Sequence, residues 1–223
     1  MKHKSKDILE HMIQCYPQLE GCKEDIENAF YILKQTYENG GKVLICGNGG
    51  SAADSEHIVG ELMKGFLLKR SLPKEHKDKL TAAFCEAGQY MIDNLQGALP
   101  AISLVSQTSL AFAYINDVAP DMVFAQQVYG YGREGDVLIG LSTSGKSKNV
   151  MNAIKVAKVF GLKTIGMTGE KSGDIKELCD VTIEVPANET YKIQEYHLPV
   201  YHVLCAMIEE EFFGCVQSVL SVF

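Results

Sequence analysis

The sequence predicts a doubly wound α/β fold on a parallel sheet of five strands, with extra helices at both chain ends. Three observations predict it. Short apolar runs recur at 42–46, 101–105, 136–141, 163–167 and 181–185. They read as continuous runs rather than alternating ones, as in strands covered on both faces. Helical patterns separate them, the alternation typical of a doubly wound sheet.

Helices at 5–15 and 23–38 precede the first strand, and Ile26, Ala29, Phe30 and Leu33 form one stripe on the second. A glycine-rich turn follows the strand at 42–46 and leads into a helix at 52–64. A helix at 75–95, bracketed by Pro73 and Pro100, carries Leu80, Phe84, Ala87, Met91 and Leu95 on one face. Helices at 122–129, 148–160 and 175–179 fill the later connections. The last helix, 190–213, carries a stripe through Leu204, Ile208 and Phe212. Pro199 lies inside it and cannot donate to residue 195, so a kink is expected there. The stripes at the two chain ends suit a helical layer between subunits, or packing on their own sheet.

At 223 residues the chain is long enough for one sizeable domain. Its composition, 46% apolar and 22% charged, is that of a globular protein. A net charge of −7 argues against a nucleic-acid partner. No run approaches a membrane span, and no apolar stretch backs the basic start, so no signal peptide is expected. The seven cysteines, at 15, 22, 46, 85, 179, 205 and 215, form no Cys-x-x-Cys pair. Free thiols in a reducing cytosol follow from that pattern.

Two strand–loop–helix units carry the chemistry. In the first, Gly47, Asn48, Gly49, Gly50 and Ser51 lie between strand and helix, so backbone N–H groups face an anion. One turn into that helix come His57 and Glu61, four apart and on one face. They suit acid–base work or metal ligation. In the second unit, Ser142, Thr143, Ser144 and Ser147 surround Gly145. Hydroxyls and free N–H groups at a helix N-terminus bind phosphate. Neither turn has nucleotide-loop spacing, so a sugar phosphate fits better than a nucleotide. Gln194, Glu195, His197 and His202 cluster on the last helix. Gln194 and His202 lie about 12 Å apart along an ideal helix. They reach one ligand only if it lies between them or if they come from different subunits.

These residues match a known pattern. Cys-Gly-Asn-Gly-Gly-Ser at 46–51, His-x-x-x-Glu at 57–61, Asn116-Asp117, the serine-rich block at 135–147, and Ile-Gln-Glu-x-His at 193–197 followed by His202 resemble the sugar isomerase (SIS) domain proteins, and among them the phosphoheptose isomerases. The resemblance runs through most of residues 40–210. It implies a flavodoxin-like SIS domain spanning 1–223, with a helical extension at 1–40 and a helical insertion at 66–100. It implies interconversion of sedoheptulose 7-phosphate and D-glycero-D-manno-heptose 7-phosphate through an enediol. Asn48, Gly49, Gly50 and Ser51, with Asn116 and Asp117, would line the sugar phosphate, and Ser142, Thr143, Ser144 and Ser147 would hold the phosphate. Glu61 would be the base, which also touches substrate, and His202 the partner acid–base group. Gln194 would contact substrate, and zinc could bind at His57, Glu61, Gln194 and His202. A cytoplasmic homotetramer with active sites at subunit contacts is implied, without nucleic acid or membrane.

The chain departs from the family pattern in two places. The connection from Glu61 to Asn116 is longer than usual, because it contains the helix at 75–95. The arginine common shortly after the glutamate is replaced by a stretch holding Lys64, then Lys69 and Arg70, so phosphate affinity or substrate length is expected to differ. The alternatives are an isomerase of another ketose phosphate, or a non-catalytic SIS protein resembling the one that binds the bacterial replication initiator DnaA. That relative lacks the glutamate and final histidine that stand here as Glu61 and His202.

Overall fold

The computed structural model describes residues 1–214. Five parallel strands stand in the order β2-β1-β3-β4-β5. They are β1 (Val43–Cys46), β2 (Ala101–Ser103), β3 (Val137–Leu141), β4 (Lys163–Gly169) and β5 (Val181–Val185). Helices α1 (His3–Cys15) and α2 (Lys23–Glu38) precede the sheet, joined by a 3-10 turn at Pro17–Cys22. α3 (Gly50–Met63) and α4 (Lys74–Asn94) follow β1, and α5 (Thr108–Asp117) and α6 (Val123–Tyr131) follow β2. α7 (Lys148–Val159), α8 (Ile175–Leu178) and α9 (Thr190–Phe213) complete the chain.

The period-2 geometry of strands sorts the core into two layers. Val43 and Ile45 share a core with residues of α1, α2 and α9, whereas Leu44 and Cys46 share one with residues of α6 and α7. The apolar runs are continuous because both faces are covered. Acidic Glu24 and Asp25 in the first turn of α2 complement its dipole. Gly40, at φ 75°, ends that helix in the left-handed region.

The stripes at the chain ends are consumed within the chain. Ile26, Ala29, Phe30 and Leu33 are buried, as are Leu204 and Ile208 of α9, and Phe212 packs half-buried against the same core. Each fully buried Leu or Ile stabilises the fold by roughly 1.5–3 kcal/mol, so little of either stripe is left for another subunit. α9 runs through Pro199 as one helix.

One local expectation needs correction. α4 is not a straight amphipathic rod. Cys85 adopts φ 47°, ψ −116°, and a Cβ on Gly88 would lie 2.3 Å from the Leu80 carbonyl oxygen, so the two halves turn back on each other. The stripe is therefore split, and Phe84, Met91 and Leu95 are exposed. Helix α5 carries no amphipathic signal in the sequence, because its apolar Leu110, Phe112 and Ile115 face outward and leave no buried face to read. The six cysteines among the described residues are free thiols, and Cys215 lies outside them.

Candidate active site

The glycine loop 47–49 leaves the C-terminal end of β1, and the serine loop 142–147 leaves that of β3. These strands are neighbours, and their connections depart in opposite directions along the sheet. That is the switch-point crevice where open α/β sheets bind ligands. Asn48 and Asn149 exchange two amide hydrogen bonds of 2.9 Å across it. Beside the pair lies a cavity of about 410 Å³, lined by Gly47, Gly49, Leu104, Ile115 and Phe124 among others. Asn116 and Asp117 sit at the exposed end of α5, hydrogen-bonded to each other at 2.8 Å.

The first loop depends on Gly49, at φ 58°, ψ −123°, which turns the chain into α3. Ser51 is buried there. A Cβ on Gly50 would lie 2.6 Å from the Gln194 side-chain nitrogen, so that amide rests directly on the loop. In the second loop the Ser142 hydroxyl meets that of Ser147 at 3.0 Å, and Gly145 N–H donates to the Ser142 carbonyl at 2.9 Å. The Ser144 hydroxyl accepts from Lys146 N–H, and Thr143 backbone is tied to Gly169 of β4. The result is a rigid, hydroxyl-rich turn at the start of α7.

A second centre forms where α3 packs on α9. His57 Nε2 lies 3.3 Å from Glu61 Oε1 and 3.5 Å from His202 Nε2. Glu61 Oε2 is buried without a hydrogen-bond partner, with Lys64 Nζ at 3.6 Å. Burial lowers the basicity of the His202 imidazole, and the neighbouring His57 adds to that; Glu61 opposes it. Tyr201 Oη lies 2.9 Å from His57 Nδ1 and 3.4 Å from Asp54 Oδ1. Burial raises the Asp54 carboxyl above its ordinary value, partly offset by Tyr201 and His57.

Among the described residues no three His, Cys, Asp or Glu side chains are placed so as to hold a metal ion. His57 Nε2 nevertheless lies within 3.5 Å of both Glu61 Oε1 and His202 Nε2. Two imidazoles and a carboxylate are also the donor types zinc prefers.

Arg70 does not face a phosphate. Its side chain is fully buried against Glu209, with Nε 2.7 Å from Oε1. Its other nitrogens donate to the carbonyls of Leu62 and Glu61 at 2.5 and 2.7 Å. Glu209 also accepts from the backbone N–H groups of Phe66, Leu67 and Leu68. The pair thus locks the end of α3 that carries Glu61. Lys69 is exposed.

The structure brings His57, Glu61 and His202 together, and places the Gln194 amide against Gly50. His197 turns to the core behind Thr168, and burial pushes its imidazole down to about 4. Sequence reasoning missed Asp54 and Tyr201. Both sit beside residues it did find, but only the packing of α3 on α9 joins them.

An α/β protein with a crevice at the switch point and a histidine–carboxylate cluster where α3 meets α9 is the class that fold and site define. The SIS domain family profile matches residues 8–78 and 79–169. The chain belongs to the SIS domain family and, within it, to the phosphoheptose isomerases. It is 40% identical over 212 residues to the phosphoheptose isomerase of a Nitratiruptor species, covering 95% of this chain and 100% of that one. Similarity to a phosphoheptose isomerase of Helicobacter pylori is 39% over 207 residues, 93% of this chain and 94% of that one. Among solved structures, a phosphoheptose isomerase from Neisseria gonorrhoeae aligns with a TM-score of 0.68 at 33% identity, over 89% of this chain and 94% of that chain. One from Francisella tularensis aligns with a TM-score of 0.72 at 28% identity, over 93% and 97%.

Proposed function

We propose that this chain is an aldose–ketose isomerase that interconverts sedoheptulose 7-phosphate and D-glycero-D-manno-heptose 7-phosphate. The observation that carries the chemistry is the Glu61 carboxylate. One oxygen lies 3.3 Å from the His57 imidazole, while the other is buried without a hydrogen-bond partner, 3.6 Å from Lys64 Nζ. The Glu61 carboxylate is the base. It removes a proton from C1 of the ketose while His202 protonates the C2 carbonyl oxygen, giving the enediol. Glu61 then returns the proton to C2, and His202 takes the proton from the C1 hydroxyl, leaving the aldehyde at C1. A positioned acid–base pair of this kind supplies about 10²–10⁴ in rate.

Ser142, Thr143, Ser144 and Ser147, with the N–H groups of their loop, bind the phosphate. Asn48, Gly49, Gly50, Ser51, Asn116 and Asp117 line the sugar, and Gln194 reaches it over Gly50. His57, Glu61 and His202 would hold a zinc ion, with Gln194 as a fourth donor, and when bound the ion would supply positive charge to polarise the carbonyl. The chain is read as a cytoplasmic homotetramer with active sites at subunit contacts. Its free cysteines and the exposed Phe84, Tyr90 and Phe112 support that reading.

Glu61→Gln tests the proposal. Turnover of sedoheptulose 7-phosphate is expected to fall at least 10²-fold with the fold and assembly intact, and full activity would refute the base. A panel of C5–C7 ketose phosphates, with and without chelator, tests substrate and metal in one experiment.

A further inference from the structure

Tyr201 and Asp54 have no part in the reaction above, yet they touch its machinery. Tyr201 is buried, and its hydroxyl lies between Asp54 Oδ1 at 3.4 Å and His57 Nδ1 at 2.9 Å. Asp54 is half-buried. Its Oδ2 has no partner, and Tyr201 is the one side-chain donor to the carboxylate among the described residues. A carboxylate only accepts, and a phenol has a single proton. Given to Asp54, that proton leaves the Tyr201 oxygen to accept from His57, which then carries its own proton on Nδ1. The other nitrogen, Nε2, is left as an acceptor for His202 Nε2–H at 3.5 Å, with Glu61 Oε1 3.3 Å away. The ring is also packed edge-on between Tyr201 and His202, with centroids 5.5 and 5.0 Å away.

We propose that Asp54 and Tyr201 are positioning residues that fix His57 in the Nδ1–H tautomer. The direction of the chain of hydrogen bonds, from His57 to Tyr201 to Asp54, is what matters. It keeps Nε2 unprotonated, the state in which an imidazole coordinates a cation or accepts a proton. The link to catalysis rests on the isomerase reading above; the tautomer does not.

The test is long-range ¹H–¹⁵N NMR on the full chain labelled with ¹⁵N-histidine, the His57 signals being assigned by their loss in His57→Gln. The wild-type protein is expected to show a protonated Nδ1 and a bare Nε2. In Asp54→Asn the new amide donates to the Tyr201 oxygen, the phenol proton turns to His57, and the proton on the ring moves to Nε2. In Tyr201→Phe the two ring nitrogens are expected to average between tautomers, and zinc affinity, read by competition with a chelating dye, to fall about 10–100-fold. A wild-type His57 protonated on Nε2 overturns the proposal, as does a tautomer unchanged in both variants. The expected tautomer without turnover of any sugar phosphate supports the relay and overturns the isomerase reading, so the two failures are distinct.

Discussion

Arg70→Met should be among the most damaging single changes outside the site. The methionine keeps much of the side-chain volume but removes the guanidinium. Lost with it are the 2.7 Å contact to Glu209 and the hydrogen bonds to the carbonyls of Leu62 and Glu61. Glu209 remains buried, still held by three backbone N–H groups but with no counter-charge. Breaking one partner of such a pair costs about 3–5 kcal/mol. At about 2–4 °C per kcal/mol for a chain of this size, Tm should fall by on the order of 10 °C. Urea unfolding of Arg70→Met, Glu209→Gln and the double variant closes a cycle, and the second change should cost much less once the first is made. Isomerase activity should fall as well, because the Glu61 carbonyl loses its anchor. A loss below about 1 kcal/mol for Arg70→Met, or additive single effects, would refute the argument.

His197 predicts a pH dependence. Its imidazole is held at about 4 in the folded protein, against about 6.5 when exposed. The neutral form is therefore favoured by folding. Stability from this group is complete above about pH 6.5 and is lost as pH falls toward 4, in total on the order of 3 kcal/mol. Unfolding free energies measured between pH 7 and 4 should be flatter in His197→Gln than in wild type, and parallel curves would contradict the assignment. Gly50→Ala should leave stability within about 1 kcal/mol, because the clash is with the tip of a flexible side chain. The displaced Gln194 should raise KM for the sugar phosphate, and an unchanged KM would remove Gln194 from the site.

The sheet was legible because a strand buried on both faces leaves an unbroken apolar run, and each run contains a strand of the sheet. The pairing of His57 with Glu61 was legible too, since four residues on a helix fix a shared face. What the chain does far from itself was less so. The role of Arg70 was not legible, because nothing local reveals Glu209, which lies 139 positions on. α4 misled for the opposite reason. Its apolar spacing is regular, but the spacing assumes a straight axis, and the backbone at Cys85 turns it back. Surface helix α5 left no periodic trace, since its apolar side chains are not buried in this chain.

The stem below α4 has a consequence for how this protein can vary. Gly97 N–H donates to the Arg70 carbonyl at 3.0 Å, Gly65 N–H to the Gln96 side chain at 2.7 Å, and Leu99 N–H to the Leu62 carbonyl at 3.0 Å. The excursion from 71 to 96 therefore leaves and re-enters at one point, closed like a hairpin at its base. With Arg70 and Glu209 bolted beneath it, this segment is an exchangeable cassette. A short turn joining Arg70 to Gly97, or a foreign peptide grafted there, should leave Glu61 where it is. Lineages are then free to lengthen, shorten or rewrite this arm while the chemistry beside it stays fixed.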